Sequence, residues 1–352
     1  MIPLRRIALS ACLVLGFSLP AAAQETLPEL TVGTLEGGTV TWELETIRTH
    51  GLDRAHGFSL KLLALAGNPA THVAMHGGEV DSIVSDWLWV AQQRAAGADY
   101  VFLPYSTAVG GLMVPGDSAV QSLADLEGQT IGVGGSPVDK SWLILRAWSM
   151  SEHGRNGGRD LADTTRQLFG AAPIILNAFE SGEVAAAVNL WHFQAKMEAR
   201  GARELVDVVT AARDLGLDPD TPLLGYVLRE SWIQANPQAA RGLAEASAEA
   251  KRILSTDDSA WEALRPIMNA EGDAEFTALR DRWRAGIPSG RGVDPKAAQQ
   301  MFAVMAELGG EELTGGLTEL PEGLFWTPDP ASESGSGSEP LPEPEANPDA
   351  KP

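Results

Sequence analysis

Three groupings of side chains in this sequence have the types and spacing to do chemistry. The first is Gly132-Val133-Gly134-Gly135 followed by Ser136. A glycine-rich turn between a strand and a helix offers free backbone N–H groups to a ligand, with a hydroxyl beside them. A dinucleotide turn would need its third glycine where Pro137 stands, and no ribose-binding acid follows, so the choice lies between a ligand-facing turn and a tight structural one. The second is His72-Val73-Ala74-Met75-His76, two imidazoles one helical turn apart, a spacing that suits two metal ligands. No third ligand accompanies them and the glutamate of H-E-x-x-H is missing, so the pair is read as an exposed helical face. The third is a set of charged and aromatic residues at the ends of strand-like segments: Glu36, Asp86, Asp139, Lys140 and His192, with Trp42, Trp87, Trp89, Trp142 and Trp191. His192 with Asp139 or Asp86 would form an acid/base pair, but the sequence has no G-x-S-x-G elbow to accompany it. Core packing accounts for Trp89 and Trp142. For Trp42, Trp87 and Trp191, a ring against a small ligand and simple packing are both open.

The elements that must position these residues alternate. Leu30–Leu35, Phe58–Leu65, Ser82–Val84 and Tyr100–Tyr105 read as strands, and helices follow at Thr39–His50, Ala70–His76 and Asp86–Ala96. Thr39 stands where a helix cap belongs. After a crossover at Leu112–Gly116 the pattern repeats: strands at Ile131–Val133, Thr165–Phe169 and Val184–Val188, helices at Val138–His153 and Pro173–Ser181, and another helix beginning at Asn189. Leu223–Leu228 carries the chain back, Ser231–Leu254 reads as one helix, and the helical patterns around Trp261, Phe276, Trp283 and Pro295–Leu308 read as peripheral cover. Alternation at this spacing predicts parallel sheets with helices on both faces, and ligands meet such sheets at the carboxyl ends of their strands. Those ends carry Glu36, Gly38, Asn68, Asp86, Ser136, Gly170 and Asn189.

The chain of 352 residues has a formal charge of −21, which disfavours nucleic acid and anionic membrane surfaces as partners. Arg5 and Arg6 precede an apolar run to Pro20, and Ala21-Ala22-Ala23 offers a small-residue cleavage site, so residues 1–23 read as a secretory signal peptide. Leu9-Ser10-Ala11-Cys12 resembles a lipoprotein box but follows too short an apolar stretch, and ordinary cleavage is the favoured reading. The arginine pair also suggests twin-arginine export, without the flanking polar residue of that motif. Cleavage after Ala23 removes Cys12, the only cysteine, and with it any disulfide or thiolate site. No stable membrane insertion is expected. Residues 331–352, rich in Pro, Gly, Ser and Glu, read as a disordered acidic tail.

Ser122–Val133 (SLADLEGQTIGV), answered by Gly182–Phe193 (GEVAAAVNLWHF) and preceded by the similar Gly77–Trp87 (GGEVDSIVSDW), resembles the periplasmic substrate-binding proteins of ABC transporters. The group resembled includes the nitrate, taurine, alkanesulfonate and thiamine-precursor binders, over roughly residues 30–326. The resemblance implies an α/β type II periplasmic binding fold: two lobes, each a mostly parallel sheet flanked by helices, joined by a two-crossing hinge. Lobe 1 would comprise 24–116 with 221–330, and lobe 2 117–220. It implies a monomer without cofactor that closes on a small ligand and delivers it to an ABC permease. One wall would carry Glu36, Gly38, Thr39, Trp42, Asn68, Asp86 and Trp87, and the other Ser136, Asp139, Gly170, Asn189, Trp191 and His192. Asp86 departs from the small hydroxyl residues usual at that loop in sulfonate and nitrate binders. If Glu36 and Asp86 both face the cleft, an amine-bearing, heteroaromatic or metal-containing ligand gains over a sulfonate-like one. Lys140 could neutralise one of the two, and helix capping is the other use for both. Two alternatives share the fold: a pyrimidine-synthase-like enzyme and the ligand-sensing partner of a periplasmic signalling receptor.

Overall fold

Short apolar alternations separated by amphipathic helices fold into two five-stranded sheets. The structure, a computed structural model, describes residues 27–290 and 292–328. The signal peptide expected at residues 1–23, with Cys12, and the acidic tail expected at 331–352 lie outside the described residues. The first sheet contains β1 (Glu29–Leu35), β2 (Ser59–Leu65), β3 (Ser82–Asp86), β4 (Tyr100–Ser106) and, from much later in the chain, β10 (Leu224–Arg229), in the order β2-β1-β3-β10-β4. The second contains β5 (Gly111–Val114), β6 (Thr130–Gly134), β7 (Arg166–Gly170), β8 (Ala186–Val188) and β9 (Arg203–Asp207), in the order β7-β6-β8-β5-β9.

Each sheet is parallel except for one strand. β10 runs antiparallel to both β3 and β4, and β5 antiparallel to both β8 and β9. These two strands are where the chain arrives from the other sheet, so the crossing itself reverses direction. Within the parallel parts Val32 sits opposite Leu62 and Ser82, and Val133 opposite Phe169 and Val188. The register brings the carboxyl ends of β3, β6 and β8 to the space between the sheets.

Three sequence expectations are corrected, and one strand that the sequence left unassigned is added. Leu112–Gly116 is no bare crossover, because Gly111–Val114 is a fully buried strand. Arg203–Asp207, unassigned from sequence, is the edge strand β9. Ser231–Leu254 is two helices, Glu230–Ala235 and Pro237–Thr256. The break is local chemistry: the ring of Pro237 disfavours helical geometry in the residue before it, and Asn236 sits at φ −132°, ψ 55°. Finally, the helices bearing Trp261, Phe276 and Trp283 are not peripheral. Those three side chains are buried together with Trp42 and Trp191 in one cluster.

That cluster ties the two sheets' helical layers together. Trp42, on the helix Val40–Thr49, packs edge-on against Trp191 at 6.0 Å and against Trp261 at 5.9 Å. Trp261 continues to Trp283 at 5.2 Å. Alongside, the helix Asp273–Ala285 packs on Trp191–Ala199, with Glu275 receiving Arg200 at 2.8 Å and Lys196 at 3.5 Å, and Arg282 paired with Glu198 and Glu204. The helix Pro295–Thr314 lies against both Lys140–Met150 and Trp87–Ala95. Among the described residues, no helix is long and apolar enough to cross a membrane.

Candidate functional site

A cavity of about 570 Å³ opens between the strand ends of the two sheets. β3 delivers Asp86 to it and then starts the helix Trp87–Ala95, which adds Trp89 and Gln92. The helix Asn68–Gly77, with Pro69 in its first turn, adds Asn68 and His72. From the second sheet come Gly134, Gly135 and Ser136 at the end of β6, then Asp139, Lys140 and Ser141, and, after β8, Asn189 and Trp191.

Asn189 holds the far wall in shape. Its Nδ2 donates to the Ala172 carbonyl at 2.9 Å, and its Oδ1 accepts the Leu190 N–H at 2.9 Å. The loops after β7 and β8 are thereby joined. Close approach requires glycine at two neighbours: a Cβ at Gly134 would fall 2.3 Å from Asn189 Oδ1, and one at Gly110 would fall 1.9 Å from the Asn189 carbonyl oxygen.

Asp86 does two jobs. Its Oδ1 accepts the Trp89 N–H at 3.0 Å, capping its own helix, and its Oδ2 receives Lys140 Nζ at 2.8 Å from the opposite side of the cavity. Both uses foreseen for this residue are therefore realised at once. Burial works to raise the Asp86 pKa, but the Lys140 charge and hydrogen bond, with the Trp89 N–H, hold it below its ordinary value. Burial works to lower the Lys140 pKa, and Asp86 more than reverses that, so the ammonium stays charged. Asp139 caps its helix through the Trp142 N–H at 3.0 Å. Burial raises its pKa, against the pull of that N–H and of Lys140.

His72 is not on an exposed face as the sequence suggested. It lines the cavity and stacks on Trp89, ring centroids 4.0 Å apart and 9° from parallel. Burial lowers its pKa and so favours the neutral imidazole, against the opposing pull of the Asp86 carboxylate. Trp89, assigned from sequence to packing alone, presents that stacked pair to the cavity and continues to Tyr100. Among the described residues no cluster of three or more His, Cys, Asp or Glu could hold a metal ion.

Of the residues assigned from sequence to the two walls, Asn68, Asp86, Ser136, Asp139, Asn189 and Trp191 line this cavity. Gly170 ends β7 one residue before the lining Ala171, and its carbonyl accepts the Gly135 N–H at 2.8 Å. Glu36 is exposed in the loop after β1, and Gly38 and Thr39 follow it; none of the three lines the cavity. Thr39 has helical φ and ψ and makes no side-chain cap. Trp42 is buried behind Trp191, and Trp87 is wholly buried, edge-on to Phe325 at 6.3 Å. His192 adjoins Trp191; its Nδ1 is buried with no hydrogen-bond partner among the described residues, and burial, with Lys196 nearby, lowers its pKa to about 4. No hydrogen bond joins it to Asp139 or Asp86 among the described residues, so the acid/base pair is not assembled here. Sequence reasoning missed one contributor from far along the chain: the helix Pro295–Thr314 brings Glu312 and Leu313 to the rim, where Gln92 Nε2 donates to the Leu313 carbonyl at 2.6 Å. The only local signal was Gly310, where the helix breaks at φ 55°, ψ −151°.

This arrangement of two sheets flanked by helices is shared with known structures. The periplasmic aliphatic sulphonate binding protein SsuA from Escherichia coli superposes with a TM-score of 0.67 at 18% identity, covering 91% of this chain and 98% of that one. The alkanesulfonate-binding protein SsuA from Xanthomonas axonopodis pv. citri, bound to MOPS, gives 0.62 at 16% identity over 84% and 96%. A ligand-binding component of an ABC-type import system from Staphylococcus aureus, with zinc bound, gives 0.59 at 12% identity over 80% and 91%. At such identities the likeness establishes the fold, that of the two-lobe periplasmic binding proteins. No curated protein matches the sequence. The family model described as NMT1/THI5 like matches residues 49–257, more than half of the chain, and on that match this protein belongs to the NMT1/THI5-like family.

Proposed function

We propose that this protein is the solute-binding component of an ABC importer: it takes a small molecule into the cavity between its lobes, closes over it and presents the closed form to a permease. The observation that carries this reading is the cavity itself, lined from both sheets at their strand ends and bridged by Lys140 and Asp86. The sulfonate- and ABC-associated neighbours support it. Closure would follow rotation about the two crossings, Thr107–Gly110 and the segment between β9 and β10, with β5 moving as part of the second lobe. A ligand stabilises the closed form only by binding it more tightly than the open one. The reading places the protein in the periplasm as a monomer, after removal of residues 1–23.

The lining points to the cargo's chemistry. Asp86, Asp139 and Glu312 are set against a single ammonium, Lys140, while His72 on Trp89 and the ring of Trp191 offer aromatic surface. An amine-bearing or heteroaromatic molecule fits this lining better than a sulfonate does. Native mass spectrometry of protein purified without unfolding tests the reading: a retained small molecule of defined mass is expected. Protein that carries none and is not stabilised by any solute from an amine and heterocycle panel would count against it.

A further inference from the structure

The ammonium and carboxylate that meet in the cavity come from opposite sheets. Asp86 ends β3, and Lys140 opens the helix that follows β6. The carboxylate cannot swing freely, because its Oδ1 is engaged by the Trp89 N–H at 3.0 Å while its Oδ2 reaches Lys140 Nζ at 2.8 Å. The ammonium is the only Lys or Arg head group among the residues lining the cavity. Ser136 and Ser141 on its own side and Asn68 opposite supply neutral hydrogen-bonding groups to the same space. A cation, hydroxyls and an amide in a part-buried cavity form the equipment of a small-anion site. In this protein the anion is already present, as a side chain.

We propose that Asp86 sets the charge specificity of the cleft: its carboxylate occupies the position against Lys140 that an anionic cargo would take, so the cleft excludes small anions, and neutralising Asp86 converts the same cavity into a small-anion site. This rests on reading the cavity as the cargo site. A second anion brought to Lys140 would have to share one ammonium with a fixed carboxylate a hydrogen bond away, and both would lose solvent. Removing the carboxylate's charge leaves a partly buried ammonium without its counter-ion, a condition that favours uptake of an anion from solution. Asp139 also lies near Lys140, but its Oδ1 is committed to the Trp142 N–H and among the described residues no hydrogen bond joins it to the ammonium, so Asp86 is the carboxylate in direct contact.

The test is calorimetric titration of sodium ethanesulfonate into wild type, Asp86→Asn and the double variant Asp86→Asn/Lys140→Met. Asparagine keeps an oxygen for the Trp89 N–H, so the helix cap survives; Asp86→Ser, also a capping residue, is the second variant if the first does not fold. Wild type is expected to show no saturable binding, Asp86→Asn to bind at least tenfold more tightly, and the double variant to lose that gain. Saturable binding by wild type equal to that of Asp86→Asn would overturn the proposal, as would folded Asp86→Asn and Asp86→Ser that both fail to bind. The probe is independent of the natural cargo. An anion gain in a protein that retains no cargo and is stabilised by no solute of the amine and heterocycle panel would leave this inference standing and sink the transport reading, while retained cargo with no anion gain would do the reverse.

Discussion

Trp42 and Trp191 meet edge to face, centroids 6.0 Å apart and 88° between planes, and they do so from helices belonging to different sheets. Trp191 also lines the cavity, whereas Trp42 does not. The contact couples the cavity wall to an aromatic cluster that extends through Trp261 to Trp283. The two substitutions should therefore separate. Trp42→Ala, at a side chain 2% exposed, should cost about 3–5 kcal/mol of stability, read by urea unfolding. Trp191→Ala should in addition weaken ligand binding by about 1–3 kcal/mol. Equal loss of affinity in both variants at matched stability would show that Trp42 acts on the ligand as directly as Trp191.

Glu43 is wholly buried, and its Oε1 accepts from the Tyr226 hydroxyl at 2.8 Å and the Ser247 hydroxyl at 2.6 Å, while its Oε2 receives Lys251 Nζ at 2.5 Å. Lys251→Met should cost about 3–5 kcal/mol, because it leaves a buried carboxylate without its counter-charge. Adding Glu43→Gln should recover part of that loss. A double variant as unstable as the sum of the two single ones would refute the coupling.

His192 gives an acid-side signature. Its pKa is lowered from 6.5 to about 4 in the folded protein, so between those values the unfolded chain binds the proton and the folded one does not. Stability from this group is full above about pH 6.5 and falls as the pH drops toward 4, by about 3 kcal/mol in all. His192→Gln should flatten that part of the stability profile. Parallel wild-type and variant profiles from pH 7 to pH 4 would place the acid sensitivity elsewhere.

Gly134→Ala should damage the cavity more than the fold. The new methyl would fall 2.3 Å from Asn189 Oδ1, forcing that side chain off the Ala172 carbonyl and the Leu190 N–H. Ligand affinity should drop at least tenfold with a melting temperature lowered by only a few degrees. A variant that binds normally would show that the Asn189 bridge does not shape the site.

The sheets and half of the cavity wall were legible because they depend on local pattern. Apolar runs ending in Asn68, Asp86, Gly134 to Ser136 and Asn189 mark strand ends, and strand ends of parallel sheets converge on one space. β9 was not legible: Arg203, Glu204 and Asp207 give it the charge of a loop, which an edge strand tolerates because one side is unpaired. Trp42 looked like a cleft residue for want of its partners, since Trp191, Trp261 and Trp283 lie far along the chain. His72 looked exposed because helical spacing gives the face but not the neighbour, and only the stacking on Trp89 reveals which way that face turns.

The central claim is capture of a small molecule in the cleft with closure of the lobes. The most direct measurement is the radius of gyration by small-angle scattering, without ligand and at saturation with the solute that most raises the melting temperature, for wild type and Gly134→Ala. The account predicts a smaller radius for saturated wild type and, at the lowest solute concentration that saturates wild type, a smaller change for Gly134→Ala. An unchanged radius for saturated wild type, together with equal stabilisation of Gly134→Ala, would contradict both the site and the closure.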